Sequence, residues 1–285
     1  MKKVLVTGVL GQLGFDIVKQ LKARSIEVLG IDIDDLDITD KQKTISYITK
    51  FKPTLVIHSA AYTAVDKAED EPSKCTLVNV EGAKNIATAC QKIGAEMVYI
   101  STDYVYGGEG DLPYSESHTP NPLSVYGRTK LGGERAVSAA LDNYYIVRTS
   151  WVFGINGNNF VKTMLRLGRE KPEIKVVADQ IGSPTYTVDL AKAIISLAET
   201  KKYGIYNVSN EGYCSWCEFA TQILECSKIT IPVDAITTAE FPTKAVRPRN
   251  SRMSKDKLYS AGVSKMPHWT DALRRYLKEI EKQQQ

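Results

Sequence analysis

No run of the sequence stays apolar for the roughly 18 residues that a membrane-spanning helix needs. The apolar stretch after Met1-Lys2-Lys3 is too short for a secretion signal. Charge of one sign is missing too: 37 Lys and Arg against 33 Asp and Glu leave +4 over 285 residues. With no basic block, neither nucleic acid nor a membrane is an expected partner. Cysteine is sparse and odd in number, five in all, which fits a reduced, cytoplasmic protein better than a disulfide scaffold. His58, His118 and His268 lie far apart, and Cys214-Ser215-Trp216-Cys217 has no second C-x-x-C to complete a zinc site. Ser215 as a helix N-cap, with Trp216 and Phe219 buried, accounts for that segment. Asp34, Asp35, Asp37 and Asp40 crowd one turn without the spacing of a calcium loop. No metal ligand is expected.

What is present is alternation of strand and helix. Hydrophobic residues make up 43% and charged residues 25%, ordinary for a globular chain. Lys3 to Thr7 reads as a buried parallel strand. Gly8, Gly11 and Gly14 follow, and then a helical pattern to about Ala23. Strand, glycine loop and helix form the context of a dinucleotide fingerprint, here spaced G-x-x-G-x-x-G. Glycines allow close approach to a pyrophosphate, and the helix N-terminus supplies N–H donors. A second strand, Glu27 to Ile31, ends at Asp32, where an acidic side chain takes ribose hydroxyls. Thr39 or Asp40 caps the helix Lys41–Lys50, and Leu55 to Ile57 is a third strand. His58 at its end is more economically structural than catalytic. Pro72 to Cys90 reads as one long helix with Leu77, Val80, Ala83, Ile86, Ala87 and Cys90 inward and Asn79 within it. Met97–Ile100 and Tyr144–Arg148 are further strands, with Ser124–Leu141 a helix between them. Beyond Thr149 the helices Val161–Gly168 and Ser215–Cys226 are expected, and Ile174–Ala178 with Val188–Ala198 as a strand–helix unit rejoining the sheet. Tyr206–Val208 is another short strand. Residues 229–267, marked by four prolines, read as a loop-rich lobe, and Trp269 to about Ile280 as a closing helix.

The fold expected is thus a doubly wound α/β protein with a parallel sheet. Residues 1–150 and 174–208 form its dinucleotide-binding domain. Residues 151–173 and 209–285 form a smaller, loop-rich substrate lobe. Tyr126 and Lys130 stand one helical turn apart on one face, behind Thr102 in the chain. A phenol is a poor acid at neutral pH, and a nearby ammonium lowers its pKa. Tyr126 is then a proton donor to a ketone oxygen, and a hydroxyl at Thr102 suits the charge that grows there. Arg247, Arg249 and Arg252 cluster in a proline-marked loop and suit a diphosphate.

These stretches resemble the extended short-chain dehydrogenases/reductases, and among them the dTDP-4-dehydrorhamnose reductase family. The resemblance is carried by Thr7-Gly8 with Gly11-Gln12-Leu13-Gly14, by Leu36 to Asp40, and by the run Ala60 to Glu69. It continues through Ser101 to Tyr106, Tyr126 to Lys130, Arg148 to Gly154, Gly157 to Phe160, Asp179 to Thr185 and Arg247 to Arg252. It implies reduction of the 4-keto group of a dTDP-sugar, dTDP-4-dehydro-L-rhamnose, by NADPH or NADH. Tyr126, Lys130 and Thr102 are the catalytic residues it implies. Gly8, Gly11, Gln12, Leu13, Gly14, Asp32, Asp37, Ile38, Ala60, Ala61, Tyr62 and Thr63 would line the cofactor, together with Tyr126 and Lys130. Thr102, Asp103, Tyr126, Trp151, Asn159, Arg247 and Asn250 would meet the substrate, with Asn79 bracing the site. Some members use Mg2+ through clustered glutamates, for which no counterpart stands out here, and a homodimer is compatible with the family. The same fold also serves epimerases, dehydratases and a regulatory subunit of methionine adenosyltransferase. Asp103 is followed by Tyr104 rather than the Glu of dehydratases, and the intact Thr102, Tyr126 and Lys130 set disfavours a purely regulatory role.

Overall fold

The computed structural model describes residues 2–284. Five strands lead the chain: β1 (Lys3–Thr7), β2 (Glu27–Ile31), β3 (Leu55–His58), β4 (Glu96–Thr102) and β5 (Tyr144–Thr149). With Gly204–Asn207 they make a six-stranded sheet. All its pairings are parallel. Parallel strands covered on both faces need apolar runs rather than alternation, and Val4, Leu5, Val6, Val56 and Ile57 are each 0% exposed.

Helix α1 (Gln12–Ala23) lies on one face. On the other, Asp40 caps α2 (Lys41–Phe51) by accepting from the Lys43 N–H at 3.0 Å. The segment read as one helix from Pro72 is interrupted. A short α3 (Val65–Asp70) and α4 (Pro72–Thr76) precede a π-helical turn, Leu77–Gly82, and only then comes α5 (Ala83–Ile93). The wider turn changes the facing residues: Leu77, expected inward, is exposed, while Cys75 and Asn79 are buried. Widened turns of this kind often mark functional sites. Helix α6 (Val125–Ala140) carries Tyr126 and Lys130, and Ser124 caps it through the Gly127 N–H at 3.1 Å.

The second core gathers α7 (Phe160–Glu170), capped by Asn159, and α9 (Trp216–Cys226), capped by Ser215 in a reciprocal capping box with Glu218. Between them in sequence α8 (Thr187–Thr200) returns to pack against α1. Strand β6 (Ile174–Val177) does not rejoin the large sheet as expected. It pairs in parallel with Val233–Ile236, in the segment read as irregular loop. Numbering in order, Gly204–Asn207 is β7 and Val233–Ile236 is β8. The C-terminal segment divides between the two cores. Leu258, with α10 (Asp256–Ser260), and then Ala261, Val263 and Met266 pack on the α1 face of the sheet. Helix α11 (Trp269–Gln284) buries Leu273 and Tyr276 in the second core. Among the described residues no helix is long and apolar enough to cross a membrane.

Candidate active site

The carboxyl ends of β1 to β5 open into a cleft of about 970 Å³. Its first wall is the glycine turn. Gly8 sits at φ +73°, and a Cβ there would stand 2.7 Å from the Ala60 nitrogen. A Cβ on Gly14 would stand 2.2 Å from the Gly8 carbonyl oxygen. Only glycine fits both positions, and the result is a bare backbone cradle at the N-terminus of α1. Asp32 anchors it, accepting from the Leu10 N–H at 2.8 Å and the Ile33 N–H at 2.9 Å. Gln12 ties it to the second core: its Oε1 accepts from Gly154 N–H at 2.8 Å and from Asn159 Nδ2 at 3.0 Å. Gly11, Leu13, Asp37, Ile38, Ala60, Ala61, Tyr62 and Thr63 also line the cleft. Asp37 accepts from the N–H and hydroxyl of Thr39. Asn79 grips Tyr62 from both sides, accepting from its N–H at 2.8 Å and donating to its carbonyl at 3.2 Å. The bracing expected of Asn79 is therefore visible as a specific contact.

The inner end holds Thr102, Asp103, Tyr126 and Lys130. Lys130 is 2% exposed, with its Nζ 4.0 Å from the centre of the Tyr99 ring. Burial lowers its pKa to about 7, against the raising influence of Glu134 and Cys75. The expected lowering of the Tyr126 pKa by an adjacent ammonium is not what this environment does. Burial raises it well above 10, opposed by the Thr102 hydroxyl and reinforced by Asp103. The phenol keeps its proton, which is the state a donor requires. Tyr104 packs edge-on against the Tyr126 ring, 5.5 Å between centroids. Thr102 does not leave its proton free: Oγ1 donates to Asp103 Oδ1 at 2.9 Å. His58 lies beneath, hydrogen-bonded through Nδ1 to the Thr7 hydroxyl at 2.7 Å. Burial and the charge of Lys130 push its pKa down to about 3, so it is a neutral structural ring.

The outer wall is aromatic. Trp151 adopts φ +48° and stacks on Trp216 at 3.6 Å, 12° from parallel. A bulky residue in the left-handed region is strained, and the other side of its ring leaves room only for Gly182, whose Cβ would stand 2.6 Å from Cε2. Trp216, read from the sequence as core, is half-buried and lines the cleft. A helical residue one step past its N-cap can pack with one edge and face a cavity with the other, so apolar spacing alone does not separate the two.

Three expected substrate residues have other employment. Asn159 caps α7 and joins Gln12, the Gly154 carbonyl and the Tyr276 hydroxyl. Asn250 is 1% exposed and donates to the carbonyls of Glu109 and Leu112, outside the cleft. Arg247 is held by Asp66 at 3.0 and 2.6 Å. With Arg249 it borders a second cavity of about 680 Å³, whose lining includes Gly108, Leu123, Pro242 and Val246. Among the described residues no group of three or more His, Cys, Asp and Glu side chains is arranged to hold a metal.

A family model described as the RmlD substrate binding domain matches residues 1–282. The spore coat polysaccharide biosynthesis protein SpsK of Bacillus subtilis is 44% identical over 98% of each chain. A dTDP-4-dehydrorhamnose reductase of Aggregatibacter actinomycetemcomitans is 43% identical over 96% of this chain and 98% of its own. Among solved structures, the dTDP-4-dehydrorhamnose reductase of Bacillus anthracis in complex with NADP superposes with a TM-score of 0.95. It is 44% identical, covering 98% of this chain and all of that one.

Proposed function

Because the chain belongs to the RmlD substrate binding domain family, we propose that it reduces the 4-keto group of dTDP-4-dehydro-L-rhamnose to give dTDP-L-rhamnose. One observation carries the reading: a single cleft joins a glycine cradle at one end to Thr102, Tyr126 and Lys130 at the other. The cradle fits a dinucleotide pyrophosphate because side chains at Gly8 and Gly14 would fill it. When bound, a reduced nicotinamide would supply the hydride. A relative 44% identical to this chain is in complex with NADP, which favours NADPH as the reduced form used here. Asp32, at the ribose position, makes NADH an alternative.

Tyr126 gives its proton to the ketone oxygen as hydride reaches the carbon, and Lys130 holds the cofactor ribose while steadying the phenolate that remains. Thr102 and Asp103 border the sugar ring, with Trp151 against its face. The diphosphate lies toward Arg247, whose guanidinium is oriented by Asp66. The large sheet with its glycine loop is the dinucleotide half, and the second core is the substrate lobe.

Loss of NADPH absorbance on adding dTDP-4-dehydro-L-rhamnose tests the reading, with other nucleotide-bound and free ketones in parallel. Oxidation with the dTDP-linked ketone, well above that with the others, is expected. No oxidation with that ketone would sink the proposal.

A further inference from the structure

We infer that Glu134 is a positioning residue of the proposed reductive site, locking the strand end that carries Thr102 to the helix face that carries Tyr126 and Lys130. The inference rests on the proposed reduction. Tyr126, Lys130 and Glu134 recur every fourth residue on α6 and form one stripe along it. Glu134 is 3% exposed. Its Oε1 accepts from the Ser101 hydroxyl at 2.5 Å and from Arg148 Nε at 2.9 Å, and its Oε2 accepts from Arg148 Nη2 at 2.6 Å. Ser101 and Arg148 are direct partners in the register of β4 and β5, and the next pair is Thr102 with Thr149. One carboxylate thus holds the residue before Thr102 to the helical turn after Lys130.

The network continues away from the cleft. Arg148 Nη1 donates to the Tyr106 hydroxyl at 2.9 Å, and that hydroxyl donates to Asn207 Oδ1 on β7 at 3.0 Å. Each guanidinium nitrogen and each oxygen of Glu134 therefore has a partner. Neither Glu134 nor Arg148 is among the described residues that line the cleft. Lys130 and Glu134 have the spacing of a helical ion pair, but the carboxylate is turned to Arg148 instead. The Lys130 amine stands 4.0 Å from the Tyr99 ring centre and is left for a ligand. Helix α6 lies hard against β4 here: a Cβ on Gly133 would stand 2.1 Å from the Tyr99 hydroxyl oxygen.

A buried ion pair is a poor source of stability. Desolvation takes back most of what the attraction supplies, and apolar pairs of similar volume often hold a fold as well or better. What the two-pronged Arg148 fork does supply is direction, because it admits essentially one geometry. Misplacement of reacting groups by about 1 Å can cost on the order of a hundredfold in rate. Fixing Ser101 to Glu134 fixes the Thr102 hydroxyl relative to the Tyr126 phenol and the Lys130 amine. Glu134 touches none of the reacting atoms and acts only through these neighbours.

The test replaces the whole pair, Glu134→Leu with Arg148→Met, so that no charge is left buried alone. This double variant should melt within a few degrees of wild type or above it. Its kcat per NADPH-binding site, with sites counted by fluorescence titration, should fall about tenfold or more, while Kd for NADPH and KM for the sugar nucleotide stay within about threefold. A merely structural role would remove binding sites and leave kcat per site unchanged. Ser101→Ala cuts the strand link and keeps the ion pair. It should lower kcat per site several-fold in the wild type and no further in the double variant. Apart from turnover, amide hydrogen exchange should quicken at residues 101–104 and 125–131 in both variants, with α11 unaltered. Unchanged kcat per site in the double variant would overturn the inference, as would unaltered exchange in those two segments. Additive losses from Ser101→Ala would make Ser101 a ligand contact and overturn it too. If the double variant fails to fold by circular dichroism, kcat per site and exchange of Ser101→Ala decide. A wild type inactive on the ketone refutes the reductase reading itself, while an active wild type matched by its variants refutes only the positioning role.

Discussion

At Lys130 a four-carbon stem carries an amine into a site only 2% exposed. The folded chain disfavours its charge, with a pKa of about 7 against 10.5 in the open chain. Between those values the unfolded chain binds a proton that the folded chain does not, so stability rises with pH across the window. Below it both states are protonated and the cost of the buried charge is complete. Lys130→Met should therefore raise the melting temperature by a few degrees, more at about pH 6 than at about pH 9, while abolishing turnover. An equal shift at both pH values would show that the amine is not desolvated as described. Tyr126 makes the complementary case. Its proton is retained by burial, so Tyr126→Phe should leave the Kd for NADPH nearly unchanged and lower kcat at least ~10²-fold, the usual worth of a positioned acid. Reduction at close to the wild-type rate would remove it as donor.

The loop 244–252 borders the second cavity and reaches back to α3 as one element. Asp66, in the first turn of α3, takes Arg247 in both oxygens and the Ala245 N–H at 3.1 Å, and Lys244 pairs with Asp70 at 2.6 Å. If Asp66 orients Arg247 toward the substrate diphosphate, Asp66→Ala and Arg247→Ala should each raise the sugar KM about tenfold, the double variant no further, and NADPH binding should be spared. A harmless Asp66→Ala would leave Arg247 acting alone. This strap was not legible in the sequence, because nothing local relates Asp66 to an arginine 181 residues away. The strand, glycine loop and α1 were legible because short-range spacing encodes them. So was Asn79, although the π-helical turn that aims it was read as regular helix. Strand β6 was recognisable by its alternation, but alternation does not name a partner, and β8 was hidden in a segment that its prolines made look irregular. Asn159 and Asn250 matched family positions; their hydrogen bonds also tie both into the frame, Asn159 at the wall of the cleft and Asn250 outside it, a difference that only the folded chain displays.

Across the whole molecule the two cores are stitched by the end of the chain. Residues from Leu258 to Met266 complete the sheet's core, and α11 then crosses to seal the other. At that crossing Tyr276 is 0% exposed. Its hydroxyl donates to the Gly154 carbonyl at 2.9 Å and accepts from Asn159 Nδ2 at 2.9 Å. The same Nδ2 reaches Gln12 in the glycine turn. A chain of contacts thus runs from the C-terminal helix through the cleft's outer loop to the cofactor cradle. Tyr276→Phe keeps the packing and deletes the bond. The Gly154 carbonyl and Asn159 Nδ2 each lose a partner but keep each other, a cost of about 0.5–1.5 kcal/mol, which at this size lowers the melting temperature by a few degrees. Because Asn159 then anchors Gln12 less firmly, the Kd for NADPH should rise a few-fold as well. Thermal unfolding and fluorescence titration of the same variant check both. A lowered melting temperature with unchanged NADPH affinity would confine Tyr276 to the second core and break the proposed coupling to the cradle.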